Sequence, residues 1–580
     1  MSSERGHSRH WLVHALPAAG LAVVTFVTIG QGVSPHFYPD DPIQRDDDQA
    51  LDASSVAPIE GSNAFDFAEH TFFEPGERTD TPARNVNTMD EVPDSTWFTN
   101  RIGRSSMSIE EIVRGPNQFD TLNIDGWPIV QGKGAGVTPG YRVTDPSGHL
   151  YQIKFDPPGN PEMGSGAEVI GAAIYHALGY NVVQGYIVEV DSNTIVIDPK
   201  ATTVDMSGHR RLMTREDVDV ILKRAARQAN GKYRVIASRY ADGKPLGYFK
   251  YYGTRADDPN DIYPHEHRRE LRGNRVFAAW LNHDDSRGLN TLDMLEGPVG
   301  RTYVRHYMFD FGSIMGSGST RAQVPRAGNE YILEWKPAFL TLATLGLYVR
   351  PWIMVNYPEV ARAVGRFEAD FFDPVRWKPE YPNPAFTNMQ AEDAFWAARL
   401  VGGFSDETIR AIVAKARYSE PAAADYTAAT LIKRRDKVLK AWLTQVNPIV
   451  EPKLTPDGML TFENAAVNAR VALSPSSYDL TWSRFDNTLG ASIGQSVEMS
   501  VVEPRAQAPG GLLQGSQFVS VAIRSIDPSQ PGWAAPVNAY FRRSLDGWQT
   551  VGLEHNSVAH AGRPGSEQAG GPGENTRKMR

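Results

Sequence analysis

Apolar and polar residues change their rhythm several times along the chain, and each change predicts a different kind of element. Residues 128–156 alternate in short runs broken by glycine or by Asp145-Pro146-Ser147-Gly148. That pattern predicts three strands joined by tight turns, including 141–144 and 149–155. Val169, Ile170, Ala173, Ile174 and Leu178 then recur at helical spacing, predicting a helix over 167–178 that stops at Gly179 and carries Glu168 on its flank. Residues 182–190 and 233–238 read as strands, with an amphipathic helix over 215–228 between them.

The second rhythm is helical. Residues 264–271 read as a charged helix start. In 275–281, Val276, Phe277, Trp280 and Leu281 share one face of a buried helix. Asn290 opens a strand-turn-strand pattern that ends at Asp310-Phe311-Gly312. Further helices are predicted over 357–372, 390–401, 405–418, with Ser405 as N-cap, and 422–443. After Pro448 the strands return as MLTFEN, ARVALS, SYDLTWS, FVSVAIRSI, NAYFRRS and WQTVGLE, the pattern of a small β-sandwich.

Segments without periodicity complete the division. Residues 34–94 read as a linker or an extended segment laid over the main domain, and Trp97-Phe98 as the anchor of a strap in a hydrophobic pocket. The resulting units are 1–30, a signal peptide or membrane anchor; 31–120, linker and strap; 121–240, a β-rich lobe; 241–447, a helical lobe; 448–557, the β-sandwich; and 558–580, a disordered tail.

Composition narrows the function. A chain of 580 residues exceeds what one core supports, and 41% hydrophobic with 22% charged residues is a globular mixture. A net charge of -9 without a basic cluster argues against nucleic acid. The absence of cysteine excludes disulfides, thiolate metal sites and a cysteine nucleophile. Arg5 and Arg9 precede the apolar run 11–30, and Asp40, Asp41 and Asp46 to Asp48 follow it. This asymmetry favours translocation of the bulk of the chain to a periplasmic or cell-surface location, with a single N-terminal membrane contact.

The candidate chemistry lies in five places. Gly132, Gly134 and Gly136 form a turn whose backbone amides could approach phosphates closely. Lys154 sits at the end of an apolar strand, where it needs a partner, and Glu168 is available. His283, Asp285 and Asn290 stand at histidine, any residue, aspartate, four residues, asparagine spacing, and Asp310-Phe311-Gly312 follows twenty residues after Asn290. Phosphoryl transfer asks for positioned charges of these kinds. No GxSxG elbow, Walker A loop, HExxH or EF-hand pattern competes.

In this order, the motifs make residues 128–443 resemble a divergent member of the protein-kinase-like superfamily. The glycine turn is not GxGxxGxV, Lys154 to Glu168 is short, and no APE follows Gly312. These departures are similar to those of the HipA-type, CotH-type and phosphoinositide-kinase-like groups. The resemblance implies an α+β fold with a β-rich N-lobe and a helical C-lobe. It also implies ATP and magnesium as cofactors. Lys154, Glu168 and the three glycines would hold ATP, Asn290 and Asp310 would hold magnesium, and Asp285 would orient an acceptor hydroxyl. Arg287 would neutralise charge where a conventional kinase carries lysine. The acceptor, protein or small molecule, is not named by these motifs, and the β-sandwich is a candidate docking module. Two alternatives share the motifs: an exported pseudokinase-like scaffold and a kinase-fold enzyme transferring AMP.

Overall fold

The computed structural model describes residues 34–133, 138–205 and 207–555. The apolar run 11–30, Gly134, Gly136 and the tail from 558 lie outside the described residues. The described residues form a mixed α and β architecture with four main sheets.

A seven-stranded sheet runs in the order Gly185–Val190, Tyr233–Arg239, Leu150–Phe155, Gly140–Thr144, Pro128–Gly132, Val196–Val204, Arg210–Leu212. Burial alternates along Leu150–Phe155. Tyr151, Ile153 and Phe155 enter a core shared with Val218 and Leu222 of the helix Arg215–Lys223. Period two therefore sends Lys154 to the opposite face. Arg215–Lys223 is shorter than expected because the chain leaves the helix to donate the Ala226 N–H to the Asp156 carbonyl. Val196–Val204 and Arg210–Leu212 were not legible, since they are largely exposed and lack alternation.

The largest core is helical. Met163–Leu178 and Arg269–Leu281 are buried almost throughout and pack with Ala391–Gly402, Asp406–Ala414 and Pro421–Trp442. Trp97 and Phe98 belong to this core. The Trp97 ring stacks on His306 at 3.4 Å, and Phe98 lies where a Cβ on Gly179 would come within 2.2 Å of its ring. Glycine at 179, with φ of 126°, both ends the helix and admits the strap.

Three expectations are corrected. Glu168 is buried rather than on a flank outside the core stripe, because helix Met163–Leu178 begins earlier and is covered on nearly all sides. Residues 357–372 form no helix. Pro358 disfavours helix at Tyr357, and Gly365 lies so close to Gly316 that a Cβ would meet its carbonyl oxygen at 2.1 Å. Phe367 and Phe372 instead stack on the Arg434 guanidinium, at 4.8 and 3.4 Å. The run ARVALS forms no strand: the helix Ala465–Asn468, capped by Asn464, precedes Arg470 at φ 58°.

Beyond Pro448, a five-stranded and a three-stranded sheet share one core that includes Leu460, Trp482, Val521 and Phe541. The early segment is laid over the rest of the chain. His36 and Thr88 donate to the carbonyls of Asn487 and Val551, while Thr79 donates to Asn388 and Tyr381 to Asp66. Among the described residues no helix is long and apolar enough to cross a membrane.

Candidate functional site

Three charged groups meet where the sheet, the buried helix and a hairpin converge. Leu150–Phe155 delivers Lys154, Met163–Leu178 delivers Glu168, and the hairpin of Thr291–Glu296 with Tyr303–Met308 delivers Asp310. Lys154 Nζ lies 2.7 Å from Asp310 Oδ1 and 3.7 Å from Glu168 Oε2. Asp310 sits in the left-handed region, at φ 64° and ψ 50°, a conformation aspartate tolerates better than most residues. The next residue, Phe311, packs against Tyr175 at 4.7 Å between ring centres. It fits because Gly171 lacks a side chain: a Cβ there would stand 2.6 Å from that of Phe311.

The electrostatics follow from the geometry. The nearby Lys154 ammonium holds the Asp310 carboxyl below its usual value. Glu168 is pushed up by burial, with Lys154 opposing, so the closer carboxylate takes most of the lysine's charge. Burial works against the Lys154 charge, but Asp310 and Glu168 outweigh it and the lysine stays protonated.

The second half of the site begins where Arg269–Leu281 ends. Asn282 turns left-handed as the helix cap, and the His283 N–H reaches back to the Ala278 carbonyl. The His283 ring is buried 3.5 Å from the Tyr175 hydroxyl, and desolvation lowers its pKa to about 4, so it is neutral. Asp284 is buried and accepts from Gln323 at 2.6 Å. Asp285 instead keeps 19% of its side chain exposed, which makes it the carboxylate of the pair with access to an acceptor. Burial pushes Asp285 up to about 7; Arg287, with Nε at 2.7 Å, opposes the shift and Glu380 reinforces it.

Asn290 donates to the Asp285 main-chain oxygen at 2.8 Å and accepts from the Phe309 N–H at 3.4 Å through its own carbonyl. The register that pairs Thr291 with Met308 is what brings Asn290 beside the strand leading to Asp310. Arg287 bridges Asp285 and Glu380, the latter at 3.3 Å. Gly132 has a local packing reason to be glycine, since a Cβ would stand 2.5 Å from Thr203 Oγ1.

Several residues at the site carry no clear signal in the sequence. Lys133 donates to the Thr138 carbonyl, and burial together with Lys154 lowers its pKa to about 8. Gln323 donates to both Asp284 and the Ser313 carbonyl and accepts from Asn282, tying the loop to the segment after Gly312. Glu380 sits ninety-three residues from Arg287 in sequence. None belongs to a local motif; only the lysine inside the glycine turn offered a hint.

The donor set suits a hard divalent cation: an amide at Asn290 and a carboxylate at Asp310 whose side chain is 37% exposed despite its lysine. Space is less generous. The cavity against Lys154, Glu168, Asp310 and Ser319 encloses about 20 Å³, whereas a cavity of about 660 Å³ is walled by Asn282, Tyr331, Trp352, Arg366 and Trp377. The charged cluster outweighs the larger space as the candidate centre, because it gathers the shifted titratable groups.

No family model matches the sequence, and no curated protein matches it. A solved structure of the Helicobacter pylori proinflammatory kinase CtkA aligns with 12% identity over 53% of this chain and 95% of that one, with a TM-score of 0.26. A likeness at this level assigns neither a fold nor an activity to this chain.

Proposed function

We propose that the chain is an ATP- and magnesium-dependent phosphotransferase of the atypical kinase type, acting on a hydroxyl acceptor. The observation that carries the reading is the convergence of Lys154, Glu168 and Asp310 beside a loop that presents Asp285 and Asn290. The seven-stranded sheet with the Met163–Leu178 helix serves as the N-lobe of a kinase-like domain, and the helices from Arg269 to Trp442 serve as its C-lobe. Magnesium, held by Asn290 and Asp310, would supply charge neutralisation on the phosphates.

The chain's own groups have separable tasks. Lys154, fixed by Glu168, offers its ammonium to the phosphates, with Lys133 and the glycine turn beside it. Asp285 accepts the proton of the acceptor hydroxyl as that oxygen bonds to the γ-phosphorus. The bond from γ-phosphorus to the bridging oxygen breaks and ADP leaves with the electron pair. Arg287 keeps Asp285 and Glu380 from repelling each other. The paired sheets beyond Pro448 form a β-sandwich that docks a protein or cell-surface partner, and the chain works outside the cytoplasm, as its N-terminal charge asymmetry suggests.

A second reading is favoured by two observations: Arg287 already occupies the Asp285 carboxylate, and the space at Lys154 is small. On that reading the fold is a scaffold that transfers nothing. Thermal-shift titration with ATP and magnesium separates the two. Stabilisation that is lost in Lys154→Ala supports the phosphotransferase; no response to nucleotide supports the scaffold.

A further inference from the structure

The cavity of about 660 Å³ is walled largely by the chain between Ala327 and Met389 and shares no residue with the small space at Lys154. Hydrogen bonds hold its walls apart. Asn282 accepts from the Trp377 indole at 2.9 Å and donates to Gln323 at 3.0 Å, and Gln323 in turn holds Asp284. The Lys378 N–H donates to the carbonyl of Gly328, where a Cβ would stand 2.0 Å from Asn282 Oδ1. The space is therefore built into the fold, and its volume lies within the roughly 300–1,000 Å³ of small-molecule sites.

Its lining selects by ring and by charge. Tyr331, Tyr348, Trp352, Tyr357, Phe372 and Trp377 supply aromatic surface. The carboxylates of the wall are already spent. Glu330 is taken by Arg350 and the Trp352 indole and Glu334 by Lys378, while Glu368 and Asp373 accept the N–H groups of Phe371 and Val375. The cations are less well neutralised. Arg366 and Arg434 donate to main-chain carbonyls, and burial works against the Arg434 charge, with Glu368 opposing. Arg78 and Arg376 are exposed, and neither guanidinium forms an ion pair among the described residues. Positive charge is thus left over at this cavity in a chain whose net charge is -9. Aromatic walls receive planar rings, and arginine forks match carboxylate, phosphate or sulfonate.

We infer that this cavity binds a small planar aromatic molecule carrying an anionic group. This holds whether or not the Lys154 site transfers phosphate.

The chain has no cysteine, so a single introduced thiol reports locally on the full-length protein. Val375→Cys places it on the cavity wall at a side chain 47% exposed, and Leu545→Cys, fully exposed beyond Pro448, serves as the control. The probe is anilinonaphthalene sulfonate, an aromatic anion. It should slow alkylation by N-ethylmaleimide at 375 in proportion to its occupancy and leave alkylation at 545 unchanged. Adding Arg78→Gln and Arg376→Gln to Val375→Cys should raise the dye concentration needed for protection by about tenfold, the cost of losing a charged hydrogen bond, while thermal melting stays the same. Alkylation at 375 that the dye leaves unchanged would overturn the inference, as would equal slowing at both thiols. Protection that survives the two arginine substitutions, or that neutral phenylnaphthylamine gives equally well, would overturn the anionic preference.

Discussion

Lys154 Nζ stands 2.7 Å from Asp310 Oδ1 although 156 residues separate them. Two local rules make the meeting. Strand alternation turns Lys154 away from the core that holds Ile153 and Phe155, and the Thr291–Met308 register returns the chain to the same face just before Asp310. The pair is half of the proposed nucleotide site, and Glu168 completes its charge balance.

Replacing Lys154 should remove function and cost stability together. Lys154→Ala leaves Glu168 buried without its cation, and loss of a charged hydrogen-bonding partner costs about 1–3 kcal/mol. Lys154→Met keeps the volume and should show the same defect in transfer. Chemical denaturation checks the first expectation, and a rate measurement with ATP and magnesium checks the second.

The pH dependence should report Asp285. Its carboxyl, raised from 3.8 to about 7, must be ionised to accept a proton, so kcat/KM should rise with pH and level off above about 7. Glu380→Gln removes a like charge and should move that limb to lower pH; Arg287→Ala should move it higher. Stability runs the other way. The folded chain holds a proton that the unfolded chain releases between 3.8 and about 7, so this group lowers stability as pH rises through that window.

Gly171→Ala should disturb the site from below. The added methyl would stand 2.6 Å from Phe311 Cβ and 2.7 Å from Ile314, and overpacking of this kind costs about 1–3 kcal/mol. A lowered melting temperature with a fall in transfer beyond the unfolded fraction would show that Phe311, and with it Asp310, had moved.

Trp97→Ala should be the severe stability variant. The ring is buried, stacked on His306 and beneath the Arg268 guanidinium at 4.5 Å, and large aromatic truncations cost about 3–5 kcal/mol. Equilibrium unfolding in urea measures it. A cost under about 1 kcal/mol would mean that the strap is not part of the main core.

Much of the site is legible in the sequence because its residues sit inside short motifs with a physical reason for their spacing. Lys154 lies at the end of an alternating strand, and Asp310 follows another, Tyr303–Met308. The residues that give no such signal are long-range or uncharacteristic. Glu380 and Gln323 reach the loop from irregular segments, where no periodicity announces a partner. Periodicity places Glu168 on a flank because it sees only one face of a helix, whereas Met163–Leu178 is enclosed on nearly all of them. The expected helix at 357–372 does not form because its aromatics serve Arg434 rather than a helical stripe.

Intact-mass spectrometry of the full chain after incubation with ATP and magnesium tests the central claim most directly. The phosphotransferase account predicts a phosphoryl adduct, on the chain or on a supplied hydroxyl acceptor, that is absent without magnesium and absent in Asp310→Ala. An adduct with the mass of AMP, or an undiminished phosphoryl adduct in Asp310→Ala, would contradict it.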